Sequence, residues 1–183
     1  MTVETSISTP LPAGVKPSVV VALLHNHETY IRTTCPQLIS YTRISPITTN
    51  TSTPTTTLTF DPNLDPNPNP SVAPVDESHI FEVTDRRPIG QTSYRLTLTN
   101  RADGIEATVE GKVPTGSMTI RSRWRVRGDA AGLLEEHIDV ESNMITRKMV
   151  KSNIERNHPA HHRSFLAEAK EKSTKAVAVA ATA

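Results

Sequence analysis

Between residues 80 and 140 the chain alternates apolar and polar side chains in five successive runs, and directly afterwards the apolar period changes from two to between three and four. That order predicts a meander of antiparallel strands closed by a helix. The runs are Ile80–Asp85; one with Tyr94, Leu96 and Leu98 on a face; one with Ile105, Ala107, Val109, Gly111 and Val113; one with Met118, Ile120, Ser122, Trp124 and Val126; and one with Leu134, Glu136, Ile138 and Val140. Turn signals at Asn100–Gly104, Pro114–Gly116 and Gly128–Gly132 separate the later ones. Ser142 or Asn143 caps the helix that follows, whose inward stripe is Val150, Ile154, His158, His161, Phe165 and Ala169. Pro159 is expected to kink it, because it lacks the amide that would bond back to the Glu155 carbonyl.

The first part of the chain supplies further elements. Val3, Thr5 and Ile7 alternate with Glu4, Ser6 and Ser8, which predicts a half-buried strand. Pro17 suits the first turn of a helix carrying Val19, Val20, Leu23 and Leu24, and Asn26 caps a second short helix reaching about Thr33. Cys35-Pro36 ends it, and Leu38–Ile44 reads as a strand. Residues 46–74 differ in kind. This Thr/Pro/Asn-rich run has almost no apolar period, so it is expected to be a flexible insertion within one domain formed by residues 1–45 and 75–172. Residues 173–183 are expected to be a disordered tail.

Bulk properties narrow the function classes. A length of 183 residues suits one domain with a core, and a net charge of +1 gives no reason to expect nucleic acid or an anionic membrane as partner. The single cysteine, Cys35, cannot close an internal disulfide, and no apolar segment is long enough for stable membrane insertion, so a cytoplasmic location is expected. No G-x-S-x-G, P-loop or G-x-G-x-x-G occurs, which weighs against hydrolase, nucleotide and dinucleotide chemistry. Cys35 has no adjacent base in the sequence to activate it as a nucleophile.

The last two strand runs carry a test of register. Arg121, Arg123, Arg125 and Arg127 line the outward face of one, and Glu135, His137, Asp139 and Glu141 that of the next. A five-residue turn sets Arg125 opposite Glu135, Arg123 opposite His137 and Arg121 opposite Asp139, and the same register keeps both apolar faces together. A neutralised, solvated charge ladder is favoured over an anion-binding stripe. Trp124 then lies opposite Glu136. If the preceding hairpin pairs Val113 with Met118, Trp124 also faces Ala107, and small residues against large ones leave hollow space. Glu136 is the ionisable residue on this inward face, and burial should raise its pKa unless an arginine or histidine reaches it.

A strand, two short helices, a meander and a long final helix form an element order similar to that of the helix-grip superfamily. That α+β group (SRPBCC) includes START lipid-binding domains, Bet v 1-like pathogenesis-related ligand binders and aromatic polyketide cyclases. The segments TPLPAGVKPSVVVALLHNHETYIR, FEVTDR, DGIEATVEGKVPTGSMTIRSRWRVRG and NMITRKMVKSNIERNH resemble more closely a fungal family on that fold. The NTF2-like cone is the rival, but it begins with helices and ends in strands. The resemblance implies a curved antiparallel sheet around the C-terminal helix, enclosing an apolar pocket.

On that fold, Glu136 and His158 are the candidate acid/base pair, and Trp124, Tyr94, His161, Met118 and Ile120 are candidate ligand contacts. His158, His161 and His162 have spacing that admits a metal, but they lack the accompanying ligands of a zinc motif, so none is expected. For His158 a structural role, bonded to backbone, competes closely with the catalytic one. Two functions follow by analogy. One is a cofactor-independent cyclase or isomerase, including a pericyclase of Diels–Alder type, acting on a lipophilic polyketide or terpenoid intermediate of fungal secondary metabolism. The other is a non-catalytic carrier of a hydrophobic small molecule or lipid.

Overall fold

The computed structural model describes residues 2–44, 75–88, 90–113, 116–128 and 132–180; side chains at 113 and 176–180 are outside that description. The expected 46–74 insertion therefore lies outside the described residues. The elements are β1 (Thr2–Pro10), α1 (Pro17–His25), α2 (His27–Thr34), β2 (Leu38–Ile44), β3 (Ser78–Arg86), β4 (Gln91–Arg101), β5 (Gly104–Val113), β6 (Gly116–Arg127), β7 (Leu133–Glu141) and α3 (Met144–Ala180). All seven strands form one antiparallel sheet in the order β1-β7-β6-β5-β4-β3-β2. The meander thus stays in sequence order, and β1 joins it beside β7. The α+β helix-grip arrangement is the one expected, with α3 packed across β1, β7 and the two short helices.

Local chemistry sets several boundaries. Asn26 Oδ1 accepts from the Thr29 amide at 3.0 Å and starts α2, while Asn143 Oδ1 accepts from Thr146 at 3.0 Å and starts α3. His25 closes α1 by donating from Nε2 to the carbonyls of Arg101 and Gly104, at 3.0 and 2.9 Å, which ties that helix to the β4–β5 turn. The turn is tight. A Cβ on Gly104 would lie 1.9 Å from the Trp124 carbonyl oxygen, so only glycine permits this approach. α3 runs through Pro159 and on to Ala180, past the expected start of a tail near Lys172. The i,i+4 pairs Glu168–Lys172 and Glu171–Lys175, at 3.1 and 2.6 Å, support that extra length.

The β6–β7 register agrees with expectation: Arg125 faces Glu135, Arg123 faces His137, Arg121 faces Asp139 and Trp124 faces Glu136. The ion pairs themselves run diagonally. Arg123 reaches Asp139 at 2.8 Å, Arg121 reaches Glu141 at 3.3 Å, and Arg125 turns to Glu106 on β5 at 2.5 Å. The β5–β6 hairpin corrects the expected pairing. Val113 pairs with Gly116 rather than Met118, so the partners are Ile105 with Trp124, Ala107 with Ser122 and Gly111 with Met118. A shift of two residues preserves every face but changes every neighbour. Trp124 therefore lies between Ile105 and Glu136, and Ala107 faces Ser122 instead.

Candidate functional site: a buried carboxylate between two histidines

The interior between sheet and helix is packed. Trp124, Phe165, Leu23, Leu24, Ile31 and Ile105 are fully buried, and the Trp124 ring lies 5.4 Å from Phe165 and 5.9 Å from Tyr30. Shallow depressions lie on the outside, along the late turns of α3 and on the outer face of β1, β7 and β6. Where an apolar pocket was expected around Trp124, the indole is itself core. The register shift supplies the reason, since a large residue rather than a small one stands opposite the ring.

Glu136 is a charged group within this core. Strand alternation points it inward and leaves it 1% exposed. Three side chains surround its carboxylate. Ser122 Oγ donates to Oε1 at 2.5 Å, His158 Nδ1 donates to Oε2 at 2.8 Å, and His162 Nε2 stands 3.4 Å from the same oxygen, out of line for a hydrogen bond. Burial pushes the carboxyl pKa up, but the two histidines and Ser122 outweigh it and bring it down to about 2. The expectation that Glu136 titrates high is thereby corrected through the stated exception, a histidine within reach.

The surrounding groups hold this arrangement in place. His162 is fully buried, its ring 4.6 Å from Trp124, and its Nδ1 lies 3.0 Å from Thr9 Oγ1, which links α3 to β1. Burial first, and the Glu136 charge second, hold the Tyr30 phenol well above its ordinary range, so it stays neutral. Because Glu136 accepts at Nδ1 of His158, the opposite nitrogen, Nε2, is the one left for a proton. The His158 side chain is 21% exposed, so the pair spans from core to surface. A carboxylate that orients an imidazole and stabilises its cation is the arrangement general acid–base chemistry requires.

The predicted candidates divide. Glu136, His158 and Trp124 come together. His161 is only half-buried, its ring 4.9 Å from His158; burial first and the His158 charge second lower its pKa to about 4. The Glu136 contact belongs instead to His162. Spacing alone could not decide between them, because both three- and four-residue steps are helical. Ile120 packs beside Ile138, Val140 and Ile154, and Met118 is half-buried near the end of the sheet. Tyr94 belongs elsewhere: its hydroxyl donates to Asp85 Oδ2 at 3.0 Å and lies 3.2 Å from Cys35 Sγ. Burial pushes the Cys35 thiol up, as befits an unreactive core cysteine. Ser122, Thr9 and Tyr30 are not legible as site residues in the sequence, since an isolated hydroxyl on an alternating strand or a short helix carries no signal of its own.

Glu4, His137 and Asp139 bring three metal-ligating groups close together on the outer face of β1 and β7, away from the HPAHH run. Asp139 is already engaged there by Arg123.

These features define a helix-grip protein with a buried acid–histidine centre under its long helix. Solved structures of that fold are similar to the chain: the ZhuI aromatase/cyclase from Streptomyces sp. R1128 (12% identity, 94% of this chain and 96% of that one, TM-score 0.57), Ara h 8.0201 (7%, 93% and 99%, 0.57), and the di-domain aromatase/cyclase StfQ of the steffimycin biosynthetic pathway (12%, 93% and 52%, 0.58). The chain belongs to the family described as Domain of unknown function (DUF7053), whose model matches residues 1–171. A search of the curated proteins gives no match.

Proposed function

We propose that the protein is a cofactor-independent cyclase or isomerase that moves protons on a lipophilic polyketide or terpenoid intermediate of fungal secondary metabolism. The observation that carries this reading is the His158–Glu136 contact at 2.8 Å, with Glu136 1% exposed and His158 open to solvent on one side. His158 Nε2 takes a proton from a carbon flanked by carbonyls, and the C–H electron pair becomes an enolate. The enolate carbon then attacks a second carbonyl of the same molecule, and the resulting alkoxide recovers the proton from Nε2. Product and substrate are isomers, so the step balances without a redox partner. Glu136 stays ionised throughout and stabilises the transient imidazolium. A pericyclic closure would need no such pair, so the geometry favours proton transfer over a Diels–Alder reaction. The aromatase/cyclase neighbours support the fold on which this chemistry is proposed.

A second reading is a carrier that binds the same class of molecule at the half-buried His158 and transfers nothing. One experiment separates the two. The protein is incubated in heavy water with a lipophilic β-polyketone, and deuterium uptake and ring closure are followed by mass spectrometry. Wild type should accelerate both, and His158→Phe should lower the rate by about a hundredfold or more. Binding of the probe without exchange would establish the carrier instead. Equal rates for wild type and variant would remove His158 from the chemistry.

A further inference from the structure

The first turns of α3 are apolar on two sides. Val150 and Ile154 turn inward onto Ile138 and Val140. Met144, Ile145 and Met149 stand 64%, 66% and 69% exposed, more than any other large hydrophobic side chain among the described residues. An amphipathic helix on a sheet needs one apolar stripe, so packing does not account for the second. Ile145 and Met149 lie one turn apart, and Ser152 and Arg156 continue the same outward row. The patch is firmly held, because Ser142 Oγ donates to the Ser117 carbonyl at 3.1 Å and fixes the start of the helix to β6.

Charge identifies what this face fits. Residues 144–163 contain five cations, Arg147, Lys148, Lys151, Arg156 and Arg163, against one acid, Glu155, although the whole chain carries only +1. Lys151 pairs with Glu155 at 3.7 Å, whereas Lys148, Arg156 and Arg163 are exposed with no ion-pair partner among the described residues. At the far end of the same helix, Lys172 and Lys175 each have a glutamate one turn away. The cationic excess is therefore local and borders the apolar patch. We infer that this face docks the protein on the surface of an anionic lipid bilayer. Met144, Ile145 and Met149 enter the interfacial layer, and Lys148 and Arg156 lie among the headgroups. No helix among the described residues is long and apolar enough to cross a membrane, so the contact is peripheral. The inference is independent of the chemistry at His158.

The test is co-sedimentation of the full chain with vesicles of phosphatidylcholine alone or with about one-third phosphatidylserine, run beside sedimentation velocity without lipid. Wild type should bind the anionic vesicles and release them at high salt. The triple variant M144S/I145S/M149S should lose binding while keeping its thermal midpoint. Lys148→Ala and Arg156→Ala should each weaken binding roughly fivefold. Failure of wild type to bind, or a triple variant that binds as wild type does, would overturn the inference. So would a wild-type dimer that the triple variant dissociates, since the patch would then be an interface between two copies.

Discussion

Glu136 has a charge that its surroundings make useful and hard to remove. With its pKa held at about 2 against an ordinary 4.5, the pair with His158 contributes fully above about pH 4.5 and loses that contribution as pH falls through about 2. Glu136→Gln removes the buried carboxylate that accepts from both Ser122 and His158, so it should destabilise by about 3 kcal/mol, read from urea unfolding at neutral pH. An unchanged midpoint would mean that the carboxylate is not what holds the two helix histidines. His27 and His161 act at milder acidity. Burial first lowers both pKa values from 6.5 to about 4, so between those values the unfolded chain binds protons that the folded chain refuses. Stability should be full above about pH 6.5 and decline as pH falls toward 4, and His27→Gln should flatten part of that slope.

At the scale of elements, the turns and caps decide more than the strands do. Gly104→Ala should destabilise by about 3 kcal/mol, because its Cβ meets backbone rather than a movable side chain. A thermal midpoint equal to wild type would show that the β4–β5 turn can open. Asn143→Ala removes the acceptor for the Thr146 amide and should cost about 1 kcal/mol, measured by chemical unfolding. The strand alternation was legible residue by residue, and so was the Asn26 cap, with the cap of α3 narrowed to Ser142 or Asn143, because each depends on neighbours a few positions away. The β5–β6 pairing was not. A two-residue shift leaves alternation untouched, so nothing in the local pattern distinguishes Val113 opposite Gly116 from Val113 opposite Met118.

Across the whole molecule, β2 and β3 are antiparallel neighbours with Ile44 paired to Ile80. The chain ends at Ile44 and Val75 therefore need only a hairpin link. Replacing residues 46–74 by a short Gly/Ser segment should leave the thermal midpoint within a few degrees of wild type, since loop length enters stability weakly, by about 0.6 kcal/mol per doubling. A large drop would assign those residues a packing role.

The sequence by itself determined the element order, the faces of each strand, the β6–β7 register and the inward position of Glu136, because period, charge complementarity and turn signals are local properties of a chain. Tertiary structure alone decided what Glu136 meets. His161 and His162 share the same helical stripe to within a residue, and only the rotation of α3 against β1, marked by the Thr9–His162 contact, brings the second to the carboxylate. Those contacts turned an expected high-pKa acid into one ionised at neutral pH, and the register of one hairpin set Ile105 rather than Ala107 against Trp124 in the core.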